Sequence, residues 1–397
     1  MESILNMNIQ TFIRSHENDD ERELVLKHKE IHGVPTALIA QQIAGRRKAK
    51  DKIPSYYHSD NVVYPPVINL EQCSSETTAI FKNQILKSLN IAHNNAIDLT
   101  GGFGIDSFFF SKYFESIIYV ESNAELFSIA QHNHRSLGAT NIRHENTTAE
   151  QFLENDYRVD LIYIDPSRRS QNNQRVFKLS DCTPDVINLR EKILRTSPNL
   201  LIKASPLLDI KIGLQELGIT KHVYVISVGN ECKEVLFFCS PNAPAKPVIT
   251  AVNITKKNTD TFTFTFEEEQ QSTTLIDDPK RYLYEPNASI LKAGAFKIVG
   301  QKFDVKKLQT STHLYTSETL IEDFPGRIFE ITEMLKADSK ILQSKFINQQ
   351  VNVITRNYPL SPEQIKSKFK LRDGGNDYLI AFSGMREKFL AKCSRLK

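Results

Sequence analysis

Ala96-Ile-Asp-Leu-Thr-Gly-Gly-Phe-Gly-Ile-Asp106 is a short apolar run that breaks into glycines at 101, 102 and 104, followed by Ser107-Phe-Phe-Phe-Ser-Lys-Tyr-Phe114. The pattern predicts a strand over 96–99, a tight turn, and a helix from 107 to 114. Glycine has no Cβ to obstruct a backbone that turns sharply or comes close to a ligand. The first turn of the helix behind it presents amides with no intrahelical partner. Together these make a corner suited to a nucleotide.

Outward from this corner, strand and helix candidates alternate to about residue 240. The strands fall at 117–120, 141–144, 161–164, 200–203, 222–228 and 235–238, with a helix over 123–137 closed by Gly138. Such alternation predicts an α/β, Rossmann-like parallel sheet. The last two strands are separated only by Gly229-Asn-Glu-Cys-Lys-Glu234. A parallel crossover needs about a dozen residues, so this pair reads as an antiparallel hairpin ending a seven-stranded sheet.

The flanks divide as a helical N-terminal region (1–90), the Rossmann-like domain (91–245), a linker with a small segment (246–320) and a smaller α/β domain (321–397). Ile9, Phe12 and Ile13 have helical spacing, and further helices are expected over 21–30, 37–52 and 76–89. The run Arg46-Arg-Lys-Ala-Lys reads as a solvated helix end or a polyanion contact. Thr261–Phe266 alternates as a half-buried strand, and 287–299 reads as a helix before Gly300. Ser361, Pro362 and Gln364 have the chemistry of a helix start.

Net charge is only +3, but from Arg356 to Lys397 ten basic residues face four acids, which places the positive charge at that end. Five scattered cysteines without a Cys-x-x-Cys pair fit a reducing compartment and argue against structural zinc, so no metal is expected. No leader-like start and no apolar run near the ~20 residues of a membrane span is evident, which points to a cytoplasmic protein. The oligomeric state is not set by the sequence.

Three readings compete for the corner: a plain turn, a nicotinamide site and an S-adenosylmethionine site. The nicotinamide pattern Gly-x-Gly-x-x-Gly is imperfect, because Gly102-Phe-Gly104 is followed by Ser107. The S-adenosylmethionine pattern, an acid at the strand end and then x-x-x-Gly-x-Gly, is met throughout by Asp98 to Gly104. A pyrophosphate favours an uncompensated helix N-terminus, whereas an acid at the rim suits the cationic methionine end. The candidate cofactor residues are Asp98, Gly101, Gly102, Gly104, Asp106, Glu121 for the ribose, and Thr148, in Thr147-Thr-Ala-Glu150, near the adenine.

Asp165-Pro166-Ser-Arg168-Arg169 follows the buried fourth strand, at the carboxyl end where ligands of such sheets bind. Amino-methyltransferases carry Asp/Asn-Pro-Pro-aromatic there, holding the target nitrogen for transfer by positioning. Asp165 and Pro166 match that motif, and Ser167 and Arg168 depart from it. Asp165, Pro166 and Arg168 are the candidate catalytic residues, a nitrogen acceptor is favoured, and Arg169 is placed to hold a substrate phosphate. A cysteine nucleophile, for which Cys182 and Cys232 are candidates by position, lacks the expected sequence context.

With Leu70-Glu-Gln-Cys-Ser-Ser-Glu-Thr-Thr-Ala, Tyr284-Glu-Pro-Asn, His313-Leu-Tyr-Thr-Ser, Phe324-Pro-Gly-Arg, Thr355-Arg-Asn-Tyr-Pro-Leu and Gly374-Gly-Asn-Asp-Tyr added, residues 65–397 resemble bacterial class I S-adenosylmethionine-dependent methyltransferases with a C-terminal THUMP-like domain. Those enzymes end their sheet in an antiparallel hairpin. The resemblance implies a ferredoxin-like segment at about 277–320 and RNA as partner, since THUMP domains bind RNA. Arg356, Lys366, Lys368, Lys370 and Arg372 are the matching basic candidates. Methyl transfer to a protein or small molecule, or RNA binding without catalysis, are the alternatives.

Overall fold

The computed structural model describes residues 2–168 and 178–397, so Arg169 lies outside the described residues. The chain forms two compact units, Met1–Lys221 with Val235–Pro244, and His222–Glu234 with Ala245–Lys397.

In the first unit, strands β1 (Asn95–Asp98), β2 (Ser116–Val120), β3 (Ile142–Glu145), β4 (Leu161–Ile164) and β5 (Leu200–Ala204) are parallel to their neighbours. Every residue of β4 and β5 is buried, as expected where helices cover both faces of a parallel sheet. The chain leaves β6 (Thr220–Val228) through Gly229-Asn230, with φ of 58° and 68°, and returns as β7 (Glu231–Cys239). Two successive positive φ angles make the tight reversal typical of two-residue hairpins. β7 runs antiparallel to β5, and the order within the unit is β7-β5-β4-β1-β2-β3. β1 therefore lies between β4 and β2, where strand order reverses and a crevice opens.

The N-terminal helices belong to the same unit. Ile9, Ile39, Ile43, Tyr56 and Leu70 pack in one apolar cluster with Phe103, Ile105, Phe108 and Phe109, directly behind the glycine turn. The helix there spans Ile105–Phe110, shorter than the expected 107–114. The basic run on helix Thr36–Lys52 is paired locally: Arg46 with Glu17 at 3.0 Å, Arg47 with Glu21 at 3.0 Å, and Lys48 with Glu71. That pairing favours the reading as a helix end.

In the second unit, residues 248–264, expected within a linker, form β8 (Val248–Ile254) and β9 (Thr259–Phe264), with β8 parallel to β6 and antiparallel to β9. A second sheet holds β10 (Tyr282–Pro286), β11 (Lys306–Gln309), β12 (Thr312–Ser317), β13 (Gly326–Met334), β14 (Asn352–Arg356), β15 (Asp377–Ser383) and β16 (Lys388–Arg395), in the order β11-β12-β10-β13-β16-β15-β14. The expected helix over 287–299 is two, Ala288–Ala293 and Ile298–Lys302, because Gly294 adopts φ 80° and ends the first. Helix Pro362–Phe369 starts as expected, with Ser361 Oγ accepting from Gln364 N at 3.2 Å and Gln364 Oε1 accepting from Ser361 N at 2.9 Å.

The motifs of the second unit pair with one another. Glu285, 2% exposed, takes Arg327 on one oxygen and Arg356 on the other. A Cβ on Gly326 would lie 2.0 Å from Glu285 O, so only glycine allows β13 to approach β10 here. Asn287 caps helix Ala288–Ala293 by accepting from Ile290 N at 3.1 Å.

Candidate active site

The three glycines differ in what surrounds them. A Cβ on Gly101 would lie 2.1 Å from the Tyr119 ring, whose hydroxyl donates to Gly102 O at 2.6 Å. A Cβ on Gly104 would meet His134 Nε2 at 2.5 Å; that nitrogen sits 2.8 Å from Gly104 O, and burial pushes the ring down to about 3, keeping it neutral. Gly102, at φ 54°, faces open space, its nearest neighbour being Thr100 O at 3.9 Å. Two glycines thus seat the loop on β2 and helix Ala124–Ser136, and the middle one leaves its outer side clear.

Asp98, expected at the rim, is 1% exposed. Its Oδ1 accepts from Thr100 N at 3.0 Å and its Oδ2 from Ser107 Oγ at 2.6 Å, so the carboxyl braces the loop from beneath. Burial lifts it to about 7; the bonds from Ser107 and Thr100 oppose that rise, and the charges of Asp106 and Asp165 add to it. Glu121 stands at the carboxyl end of β2, partly exposed, accepting from Gly102 N at 2.8 Å and Asn123 N at 2.7 Å. Each of its oxygens keeps capacity for a further donor. Thr148 caps helix Ala149–Phe152, its hydroxyl accepting from Gln151 N at 3.2 Å.

Asp106 is buried. It accepts from Ser74 Oγ and Tyr163 Oη, both at 2.7 Å, and pairs with Lys82 at 3.0 Å. Burial alone would raise its carboxyl; Lys82, Lys203 and these hydroxyls outweigh that and hold it below the ordinary carboxylate range. Lys82 is itself 0% exposed and also donates to Ser74 Oγ at 3.1 Å. The Leu70–Ala79 motif thereby becomes part of the support beneath the corner.

Asp165 is tied to the corner through its backbone, donating from N to Thr100 Oγ1 at 2.6 Å. Its side chain contacts the ammonium of Lys203, the two being 34% and 11% exposed. Pro166 is buried behind it, and Ser167–Arg168 pair antiparallel with Cys182–Thr183. Lys82 and Lys203 went unread in the sequence, although each had a signal: Lys82 interrupts the buried stripe Thr78, Ala79, Ile85, Leu86, and Lys203 ends the apolar run of β5. Cys182 is buried and burial pushes Cys232 up to about 11, which leaves the latter a poor nucleophile.

These features fit S-adenosylmethionine: a clear outer face on the loop at Gly102, an adjacent carboxylate with spare acceptor capacity, and Asp165, whose backbone amide bonds the same loop. Among the described residues no group of three or more His, Cys, Asp or Glu could hold a metal ion.

Of the basic candidates in the second unit, Arg356 is engaged with Glu285, Lys366 pairs with Asp373 at 2.8 Å, and Arg372 donates to Asn348 O at 2.9 Å. Lys368 and Lys370 are exposed at the end of helix Pro362–Phe369.

Comparison with known proteins agrees with this architecture. Residues 282–325 match a ferredoxin-like domain family and residues 326–395 a THUMP domain-like family. A candidate methyltransferase from Porphyromonas gingivalis W83 is 30% identical over 100% of this chain and 99% of its own, with a TM-score of 0.85. A candidate RNA methyltransferase from Pyrococcus horikoshii shares 16% identity over 48% of this chain and 98% of its own, at a TM-score of 0.35. A SAM-dependent methyltransferase from Agrobacterium tumefaciens shares 15% over 42% of this chain and 61% of its own, at 0.32. No curated protein matches the chain. The full-length likeness to the first of these structures, the reversed strand β7 beside β5 and the matched C-terminal domain assign the chain to the class I S-adenosylmethionine-dependent methyltransferases with a THUMP-like domain.

Proposed function

We propose that this enzyme methylates RNA, with the corner at 98–104 binding the donor and the loop at 165–168 presenting the acceptor. The observation that carries the reading is the bond from Asp165 N to Thr100 Oγ1, which fixes the acceptor loop to the donor loop. Glu121 holds the ribose hydroxyls, Gly102 leaves room for the ligand, and Thr148 borders the adenine. Gly101, Gly104, Asp98 and Asp106 act by setting the shape of the loop. The bound cofactor supplies a methyl group on a sulfonium, already a good leaving group, so the protein contributes mainly orientation. Asp165 and Pro166 orient the acceptor, and Arg168 and Arg169 lie next to them in sequence to meet a phosphate. RNA as substrate is supported by the THUMP-like match and by the basic excess after Arg356. No helix among the described residues is long and apolar enough to cross a membrane, and a cytoplasmic site fits an RNA substrate.

Calorimetry of the full chain with S-adenosylhomocysteine tests the first half. Binding is expected in wild type and in Asp165→Ala, with methyl transfer lost only in the variant. A folded wild type that takes up no ligand sinks the proposal, and an Asp165→Ala enzyme with wild-type turnover removes Asp165 from it.

A further inference from the structure

Asp165 and Lys203 sit side by side because β4 and β5 are parallel neighbours with Ile164 opposite Ile202. One residue further along, the carboxylate and the ammonium meet at the carboxyl ends of both strands. The pair belongs to a charged cluster within the first unit that includes Asp98, Asp106 and Lys82. Thr100 fixes the backbone of Asp165 from the donor side, and Lys203 fixes its carboxylate from the other. The carboxylate is the more exposed member, so an acceptor reaching it meets a proton acceptor that is in contact with an ammonium. Cys73, which feels the charges of both Lys203 and Asp165, is pushed up to about 11 by burial and does not compete as a nucleophile.

The sign of the charge that develops on the acceptor separates two chemistries. A neutral amine nitrogen becomes positive as it takes the methyl group; the carboxylate favours that change and the ammonium opposes it, so the intact pair gives nitrogen little net help. A hydroxyl oxygen that gives up its proton becomes negative, and the same ammonium favours it. Sequence alone favoured nitrogen, on Asp165-Pro166; Lys203 shifts the balance toward oxygen.

Building on the RNA reading, we propose that the acceptor is a ribose 2′-hydroxyl, which offers one donor and one acceptor to this donor–acceptor pair. Asp165 takes the hydroxyl proton and Lys203 holds the oxygen. The oxygen–methyl bond forms as the carbon–sulfur bond breaks with its electron pair left on sulfur, and the proton passes from Asp165 to water.

The test uses the full chain, trideuteromethyl S-adenosylmethionine and total RNA from a strain of the source organism lacking this gene. Mass spectra of the digested nucleosides should show the label in the ribose fragment with the base fragment unshifted; a shifted base fragment overturns the proposal. If RNA stays unlabelled while the protein binds S-adenosylhomocysteine, the RNA reading falls, and the 2′-hydroxyl proposal falls with it. Lys203→Met should bind S-adenosylhomocysteine within about three-fold of wild type, transfer methyl ~100-fold more slowly, and be partly rescued in Lys203→Arg. Transfer by Lys203→Met at the wild-type rate overturns the role of Lys203.

Discussion

Asp98 gathers two roles in one carboxyl: it braces the glycine loop through Thr100 and Ser107, and it sits where a charge is costly. Its value of about 7 in the fold compares with about 3.9 in an unfolded chain. The folded state therefore holds the proton more tightly than the unfolded state. This contribution to stability is fully present below about pH 4 and is lost as pH rises to about 7. Asp98→Asn keeps an acceptor for the Thr100 amide and removes the titration. Denaturant unfolding of wild type should lose up to ~4 kcal/mol between pH 4 and 8 from this group, and the variant should show a flatter profile. An unchanged profile in the variant assigns the pH dependence elsewhere. The spacing of Asp98 to Gly104 was legible because a loop of seven residues is local. That the acid turns inward was not, since it depends on Ser107 reaching back beneath the loop.

At the level of elements, helix Glu76–Ser88 does more than cover the sheet. Its Lys82 places an ammonium, fully buried, against Asp106 at the start of the helix behind the glycine turn. Removing one partner of a buried pair leaves the other charge unpaired, which usually costs ~3–5 kcal/mol. Lys82→Met should destabilise the protein by about that amount and weaken S-adenosylhomocysteine binding. Lys82→Met combined with Asp106→Asn should recover part of both, as read by denaturant titration and calorimetry. A double variant no better than the single shows that the pair does not act as a unit. The strands were legible from their apolar runs, and the final hairpin from the length of its connection. The Lys203–Asp165 contact, 38 residues apart, depends on strand register, which composition does not encode. The helix over 287–299 was read too long because its apolar pattern continues past Gly294, whose φ of 80° stops it.

Across the whole chain, positive charge collects after Arg356, but its residues do not contribute alike. Arg356 is part of a three-charge group with Arg327 around the buried Glu285, in which the motifs Tyr284-Glu-Pro, Phe324-Pro-Gly-Arg and Thr355-Arg are mutual partners. Packing of the second unit thus accounts for these three motifs together. Arg356→Ala should therefore cost stability on the order of 3 kcal/mol, by leaving part of the Glu285 charge uncompensated. Lys368 and Lys370 behave differently, being exposed and without an ion-pair partner among the described residues. Each phosphate neutralised on single-stranded RNA adds ~0.7 to the slope of log affinity against log salt. The Lys368→Ala/Lys370→Ala variant should thus bind RNA more weakly at low salt, with its slope reduced by about 1.4 and its thermal stability unchanged. Binding measured by fluorescence anisotropy from 50 to 300 mM salt, roughly the range where screening acts, decides the matter. A variant with the wild-type slope shows that Lys368 and Lys370 do not contact RNA phosphates and that RNA is held elsewhere.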